Sequence, residues 1–185
     1  ICEASTTTNS HGGTWSKDNL IVFASGARHL LSVPAAGGVP VPATTIDLTR
    51  GEDAHHYPSF LPDGRHFLYA ATSEDPATGL DHSTVRVASL GGSAPTDVIR
   101  DALRAEYVEP GFLLFGRRGV LLARRFDADA MRLSEETRTV ARGMRVQPAQ
   151  GLATFSASSS GVVAYAEDAP FNQLVWVRRD GLDDG

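Results

Sequence analysis

Cysteine is nearly absent: Cys2 stands alone among 185 residues. That excludes a disulfide-stapled framework, and one thiol says nothing about redox compartment. No apolar run exceeds four or five residues, so no transmembrane helix is expected in this stretch. No basic-then-apolar leader opens the chain, so no signal peptide is visible. Basic charge is not in excess either. Lys and Arg number 17 against 22 Asp and Glu, a net charge of −5, which gives no footprint for a nucleic-acid partner. The remaining composition, 42% hydrophobic and 21% charged with 18 Gly and 10 Pro, suits one globular domain and neither a collagenous nor a disordered chain. The first residue is Ile1 rather than Met, which suggests a trimmed or internal segment.

Four short apolar runs stand out: Leu20 to Ala24, Phe67 to Ala71, Phe112 to Phe115 and Val162 to Tyr165. They are too short for core helices and rich in aromatic and β-branched residues, so they read as strands. Without polar alternation, they read as buried on both faces. Each follows a turn signal: Lys17-Asp18-Asn19, Pro62-Asp63-Gly64, Glu109-Pro110-Gly111 and Ser159-Ser160-Gly161. Pro fixes φ, Asp or Ser bonds the backbone ahead, and Gly or Asn accepts positive φ. The turns end at Asn19, Gly64, Gly111 and Gly161, in steps of 45, 47 and 50 residues, which marks a repeat.

A second strand candidate follows each run: Leu30 to Val33, Val85 to Ala88, Val120 to Ala123 and Leu174 to Val177. Three of these lead into turns at Gly37-Gly38, Gly91-Gly92 and Asp180-Gly181, and in the third repeat Phe126 to Asp129 takes that place. More polar outer strands follow at Val39 to Ile46, Pro95 to Ile99 and Glu136 to Ala141. Inner strands precede the turns at Gly13 to Ser16, Tyr57 to Leu61, Glu106 to Glu109 and Ala153 to Ala157. The expected fold is therefore all-β: a β-propeller of four-stranded antiparallel blades, about four in this chain. The blades span about 10–50, 55–100, 104–143 and 150–185, and residues 1–8 are the outer strand of a preceding or closing blade. A β-sandwich is the rival, but it lacks the long repeat. One segment, Asp127 to Arg142, carries an N-cap and helix formers before Gly143. Thr137, Thr139, Val140 and the repeat register predict a hairpin there instead.

Gly12-Gly13-Thr14-Trp15-Ser16 and Pro58-Ser59-Phe60-Leu61-Pro62-Asp63-Gly64-Arg65-His66-Phe67-Leu68-Tyr69 resemble the TolB-type, WD-like propeller repeat. More narrowly, with Val33 to Gly38 and Gln173 to Gly181, the chain resembles the propeller that follows the kinase domain in many large bacterial serine/threonine kinases. The first and third repeats depart from the family's usual Pro-Asp-Gly and Ser-Pro-Asp-Gly turns. The resemblance implies a sensor-like region outside the cytoplasmic membrane, and a ring usually of six or more blades. An incomplete ring leaves blade faces and strand edges open to self-association, unless Ile1 to Thr8 closes a small one.

The kinase motifs themselves are lacking: no Gly-rich phosphate loop, His-Arg-Asp or Asp-Phe-Gly element is present, and no Gly-x-Ser-x-Gly elbow. Ser156, Ser158, Ser159 and Ser160 read as a solvated turn. His55 and His56 stand just before an inner strand beside Glu52 and Asp53, where imidazole and carboxylate could bind an ion or a ligand. Adjacent extended residues point apart, so both do not easily serve one ion. Glu106 and Glu109 frame the third inner strand and, three apart, face opposite sides. Asp127 and Asp129 begin like a calcium loop, but Arg138 stands at the twelfth position where the loop needs Glu. The Thr72 to Ser83 insert has no metal spacing. Trp15 and Trp176 are expected between blades, and Phe23, Tyr69, Phe115 and Tyr165 as an equivalent core stripe. The expected function is a noncatalytic segment that binds a protein or small ligand through His55, His56, Tyr57, Glu106 and Glu109, with no catalytic residue, metal or cofactor. The alternative is a metal-assisted propeller hydrolase of lactones or sugars. A third possibility is the noncatalytic propeller of a prolyl-oligopeptidase-type enzyme.

Overall fold

The structure, a computed structural model, describes residues 11–73, 83–92, 94–147, 152–158 and 161–167. It divides between Ala102 and Leu103 into two compact units. The first unit holds two four-stranded antiparallel meanders. One comprises β1 (Gly13–Trp15), β2 (Leu20–Ala24), β3 (Leu30–Pro34) and β4 (Val41–Pro42). The other comprises β5 (Ala54–Phe60), β6 (His66–Thr72), β7 (Thr84–Ser89) and β8 (Thr96–Arg100). In the second unit, β9 (Ala105–Val108), β10 (Phe112–Arg117), β11 (Val120–Asp127) and β12 (Arg132–Arg142) form a third such sheet. Two strand pairs follow: β13 (Val146–Gln147) with β14 (Leu152–Ala153), and β15 (Phe155–Ala157) with β16 (Val163–Tyr165). The sheets follow chain order with antiparallel neighbours throughout, as propeller blades do.

The repeated turns share one backbone solution. Asn19, Gly64, Gly111 and Gly161 all have positive φ, at 58°, 74°, 108° and 88°. Local side chains set the approach: Ser16 Oγ accepts from the N–H of Asp18 and Leu20, and Asp63 Oδ1 from those of Arg65 and His66. At Gly64 the φ of +74° calls for glycine, whereas the closest atom a Cβ would meet, Asp18 Oδ2 at 2.9 Å, is the end of an exposed side chain that can move aside.

Burial follows the expected pattern in β6 and β10, which are covered on both faces. In the first unit Val22, Ala24 and Leu30 pack with Phe67, Tyr69 and Ala71 in one core cluster. Each large side chain sealed there contributes about 1.5–3 kcal/mol. The aromatic stripe is not uniform. Tyr69 and Phe115 are 1% exposed, but Phe23 and Tyr165 are only half-buried. Tyr69 lies five residues beyond its turn end and Phe23 four, and one residue of offset reverses the face. Ala24 therefore shares the core with Tyr69. Trp15 is also corrected: it is 60% exposed rather than packed between sheets. Its neighbour Thr14 faces inward and accepts from the N–H of Phe60 at 3.1 Å, which turns Trp15 to the other side of β1.

The segment after Asp127 is a hairpin. Asp127 Oδ1 accepts from the N–H of Asp129 and Ala130, and the chain returns as the eleven-residue β12. In the first sheet the outer strand is much shorter than expected, only Val41–Pro42. Leu174 to Val177, Trp176, the Asp180-Gly181 turn, Ile1 to Thr8 and most of the Thr72 to Ser83 insert lie outside the described residues.

Candidate functional site

His55 and His56 lie inside β5, which begins three residues earlier than expected, at Ala54. Strand alternation sends them to opposite faces, as adjacent extended residues must go. His55 is 0% exposed and ends in a polar network. Its Nδ1 lies 2.9 Å from Thr44 Oγ1 and its Nε2 3.1 Å from Glu52 Oε2. The Glu52 carboxylate also accepts from the N–H of Asp47 at 2.9 Å and contacts Arg86. A carboxylate facing a guanidinium accepts, so Nε2 carries the imidazole proton. Nδ1 then accepts from the Thr44 hydroxyl, whose oxygen accepts the N–H of Leu30 at 2.9 Å. Burial lowers the His55 pKa and Glu52 opposes it, which keeps the ring neutral.

Arg86 extends the network to β8. Its Nε donates to Asp97 Oδ1 at 2.9 Å, and Arg50 donates to Asp97 Oδ2 at 2.7 Å. The Tyr69 ring stands edge-on to His55, 4.7 Å between centroids. Thr44 and Tyr69 also line a cleft of about 380 Å³ whose other walls include Thr45, Ser89, Pro42 and Pro95. A chain of contacts from hydroxyl to imidazole to carboxylate thus starts at its edge with Thr44, while His55 and Glu52 lie buried outside its lining. The same Thr44 oxygen is tied to the backbone of β3, and every nitrogen of His55 is engaged. The arrangement fastens the 44–52 connection to β5 and β7.

His56 faces the other way, toward His11. The rings meet edge to face with centroids 5.1 Å apart, and Tyr57 lies 5.7 Å from His11 and 6.0 Å from His56. The cluster is built by a bulge: the β5–β6 register shifts between His56 and Ser59, and Tyr57 has φ +52°. That conformation aims the Tyr57 N–H at the His11 carbonyl, 2.9 Å away. A bulky residue with positive φ is uncommon and costs about 1–3 kcal/mol, so the surrounding contacts hold it. Gly12 permits the approach, because a Cβ there would stand 3.3 Å from Tyr57 Cα. His56 Nδ1 is buried with no hydrogen-bond partner among the described residues. Burial, with smaller contributions from His11 and His55, lowers the His56 pKa from 6.5 to about 4. Burial lowers that of His11 too.

Glu106 and Glu109 belong to the second unit and His55, His56 and Tyr57 to the first. Glu106 lies in β9, pairs with Arg104 and accepts the N–H of Ala157 at 2.7 Å. It joins β9 to β15. Glu109 is exposed at the turn, 3.4 Å from the Tyr107 hydroxyl. Sequence reasoning missed His11, Thr44 and Arg86. Arg86 had left a signal, as the lone charge inside the apolar Val85-Arg86-Val87-Ala88 run. His11 and Thr44 had none, since neither is near its partner in sequence.

No protein-family model matches the sequence, and no curated protein matches it. Solved structures do. A protein assigned as TolB from Agrobacterium tumefaciens superposes with TM-score 0.66 at 14% identity, over 96% of this chain and 65% of that one. A gluconolactonase, XC5397 from Xanthomonas campestris, gives TM-score 0.66 at 12% identity, over 94% and 60%. A calcium-binding regucalcin from Agrobacterium tumefaciens gives 0.64 at 13% identity, over 95% and 59%. The chain thus spans about three fifths of the length of these structures. At such identities the likeness is one of fold, and the chain has the β-propeller fold.

Proposed function

We propose that this chain is a noncatalytic binding segment of a β-propeller, which takes a protein or small ligand at the β5 bulge through His56, Tyr57 and His11. The unpartnered Nδ1 of His56 carries this reading. A buried polar atom without a partner costs about 1–3 kcal/mol, which a ligand hydrogen bond would recover. With its pKa near 4, His56 is a neutral donor and acceptor at pH 7, suited to recognition and too weak a base for efficient proton abstraction. His55 stands behind this face as a fastening, and Glu106 does so in its own unit. Glu109 is exposed and is proposed as a ligand contact of the second unit. Histidine-selective NMR tests the reading. Neutral disaccharides and short peptides are titrated into wild type and H56F. Saturable shifts at His56 and His11 are expected in wild type, with those at His11 lost in H56F, and His11 shifts that persist in H56F would count against it.

The motif resemblance supports placement in a larger bacterial protein, kinase-linked or of the cell envelope and facing away from the cytoplasm. An upstream kinase domain and membrane span in the coding sequence would support that parent, and their absence would refute it. A hydrolase is the second reading, favoured by the Thr44–His55–Glu52 alignment beside a cleft. It requires pH-stat hydrolysis of δ-gluconolactone, with or without added Ca²⁺ or Mn²⁺, that T44A abolishes. We expect no T44A-sensitive turnover.

A further inference from the structure

The third sheet reverses the sign of the chain's charge. Nine arginines against six acidic residues lie between Arg104 and Arg145, although the whole chain carries −5. Two of these arginines line a cleft of about 390 Å³ where β11 turns into β12. Arg125 is placed there by a bulge: the β11–β12 register shifts between Arg124 and Phe126, so Arg125 faces no residue of β12. Its guanidinium lies over the Phe112 ring, 5.3 Å from the centroid. That contact orients the planar group. Arg125 stands between this cleft and a smaller one of about 90 Å³ lined by Phe112, Glu136 and Arg138. Arg132 lines the same cleft and is exposed. Neither arginine has an ion pair among the described residues.

The rest of the lining is chemically divided. Pro110 and Leu133 give apolar walls and Ser134 a hydroxyl. Asp127 is the one acid in the lining, and its Oδ1 is engaged by the N–H groups of Asp129 and Ala130. Two arginines against one aspartate leave a single positive charge, which matches a monoanion better than a dianion. We propose that this cleft binds a small organic monocarboxylate, the carboxylate held by the Arg125 and Arg132 forks and the carbon skeleton against Pro110 and Leu133. Two cationic donors in the lining of one concave, partly apolar surface are the composition such a ligand needs. The site is separate from the β5 bulge and does not depend on it.

The test is a ¹⁵N NMR titration of the whole chain, observing backbone amides and arginine Nε–H groups, with phenylacetate, phenylacetamide and inorganic phosphate as probes. Phenylacetate is expected to shift the Arg125 and Arg132 side chains and the 127–134 amides saturably. R125A and R132A are each expected to weaken it by about tenfold. R125K, which keeps the charge and loses the fork, is expected to fall between. Both positions are exposed, and an otherwise unchanged spectrum reports that each variant is folded. The proposal is overturned if phenylacetamide or phosphate binds as well as phenylacetate, if the variants bind normally, or if no probe saturates.

Discussion

Glu52 Oε2 lies 3.1 Å from His55 Nε2, with both side chains all but sealed from solvent, while the same carboxylate meets Arg86, itself 3% exposed. Removing the carboxylate leaves a buried guanidinium with Asp97 as its one ion-pair partner among the described residues, and an imidazole with a stranded N–H. E52A is expected to lose about 3 kcal/mol of unfolding free energy, the usual scale for breaking a buried pair. E52Q keeps an acceptor for the Asp47 N–H and should lose less. Urea denaturation at pH 7 measures both.

The histidines set an acid-side limit. Burial holds His56 near pH 4 in the folded chain, whereas the unfolded chain titrates near 6.5. The unfolded state therefore takes its proton first. The contribution is complete above pH 6.5 and is lost as pH falls toward 4. The loss is at most about 3 kcal/mol, and less for the solvent that reaches the ring. His55 and His11 act in the same direction. Asp97 does not interfere in that window. Burial would raise its pKa, but Arg50 and Arg86 outweigh burial and hold it below the usual 3.8, so its loss comes at lower pH. H56Q is expected to flatten the stability profile between pH 6.5 and 4.5, measured by urea midpoints.

Gly116 is required by packing. A Cβ there would stand 2.5 Å from Ala153 Cβ and 2.8 Å from Met144 Cε, inside the second unit. G116A should therefore destabilise by about 1–3 kcal/mol through overpacking, despite the better strand propensity of alanine. The thermal midpoint reads this directly.

The outer edge of the first sheet is protected by proline. Ala43 donates its N–H to Leu30 at 2.8 Å, and the register pairs Val41 with Ser32 and Pro42 with Leu31. By strand alternation the nitrogens of Pro40 and Pro42 point away from β3, and they carry no hydrogen to offer a neighbouring chain. Exposed Val39 and Val41 would otherwise make this a sticky edge. The double variant P40T/P42T is expected to self-associate at concentrations where the wild type sediments unchanged, as read by analytical ultracentrifugation.

Much of this fold could be read from the chain because its signals are local. Asn19, Gly64, Gly111 and Gly161 mark backbone positions of one hand, and that requirement is visible in residue type. The apolar strands after them are visible for the same reason. Trp15 was misread because the orientation of a three-residue edge strand depends on where Thr14 finds its partner, 46 residues on. The stripe failed at Phe23, which stands four residues beyond its turn end where Tyr69 stands five, because a one-residue offset changes the face without changing the composition. The site was harder to read. His56 and Tyr57 were legible as a polar pair at an inner strand, but the bulge that joins them to His11 depends on a hydrogen bond across two sheets.

An NMR pH titration of the His56 ring, in a protein whose His11 and His56 rings are checked for a through-space contact, tests the β5 site most directly. The account predicts a midpoint near 4 together with that contact. A midpoint near 6.5 with no contact between the rings would contradict it.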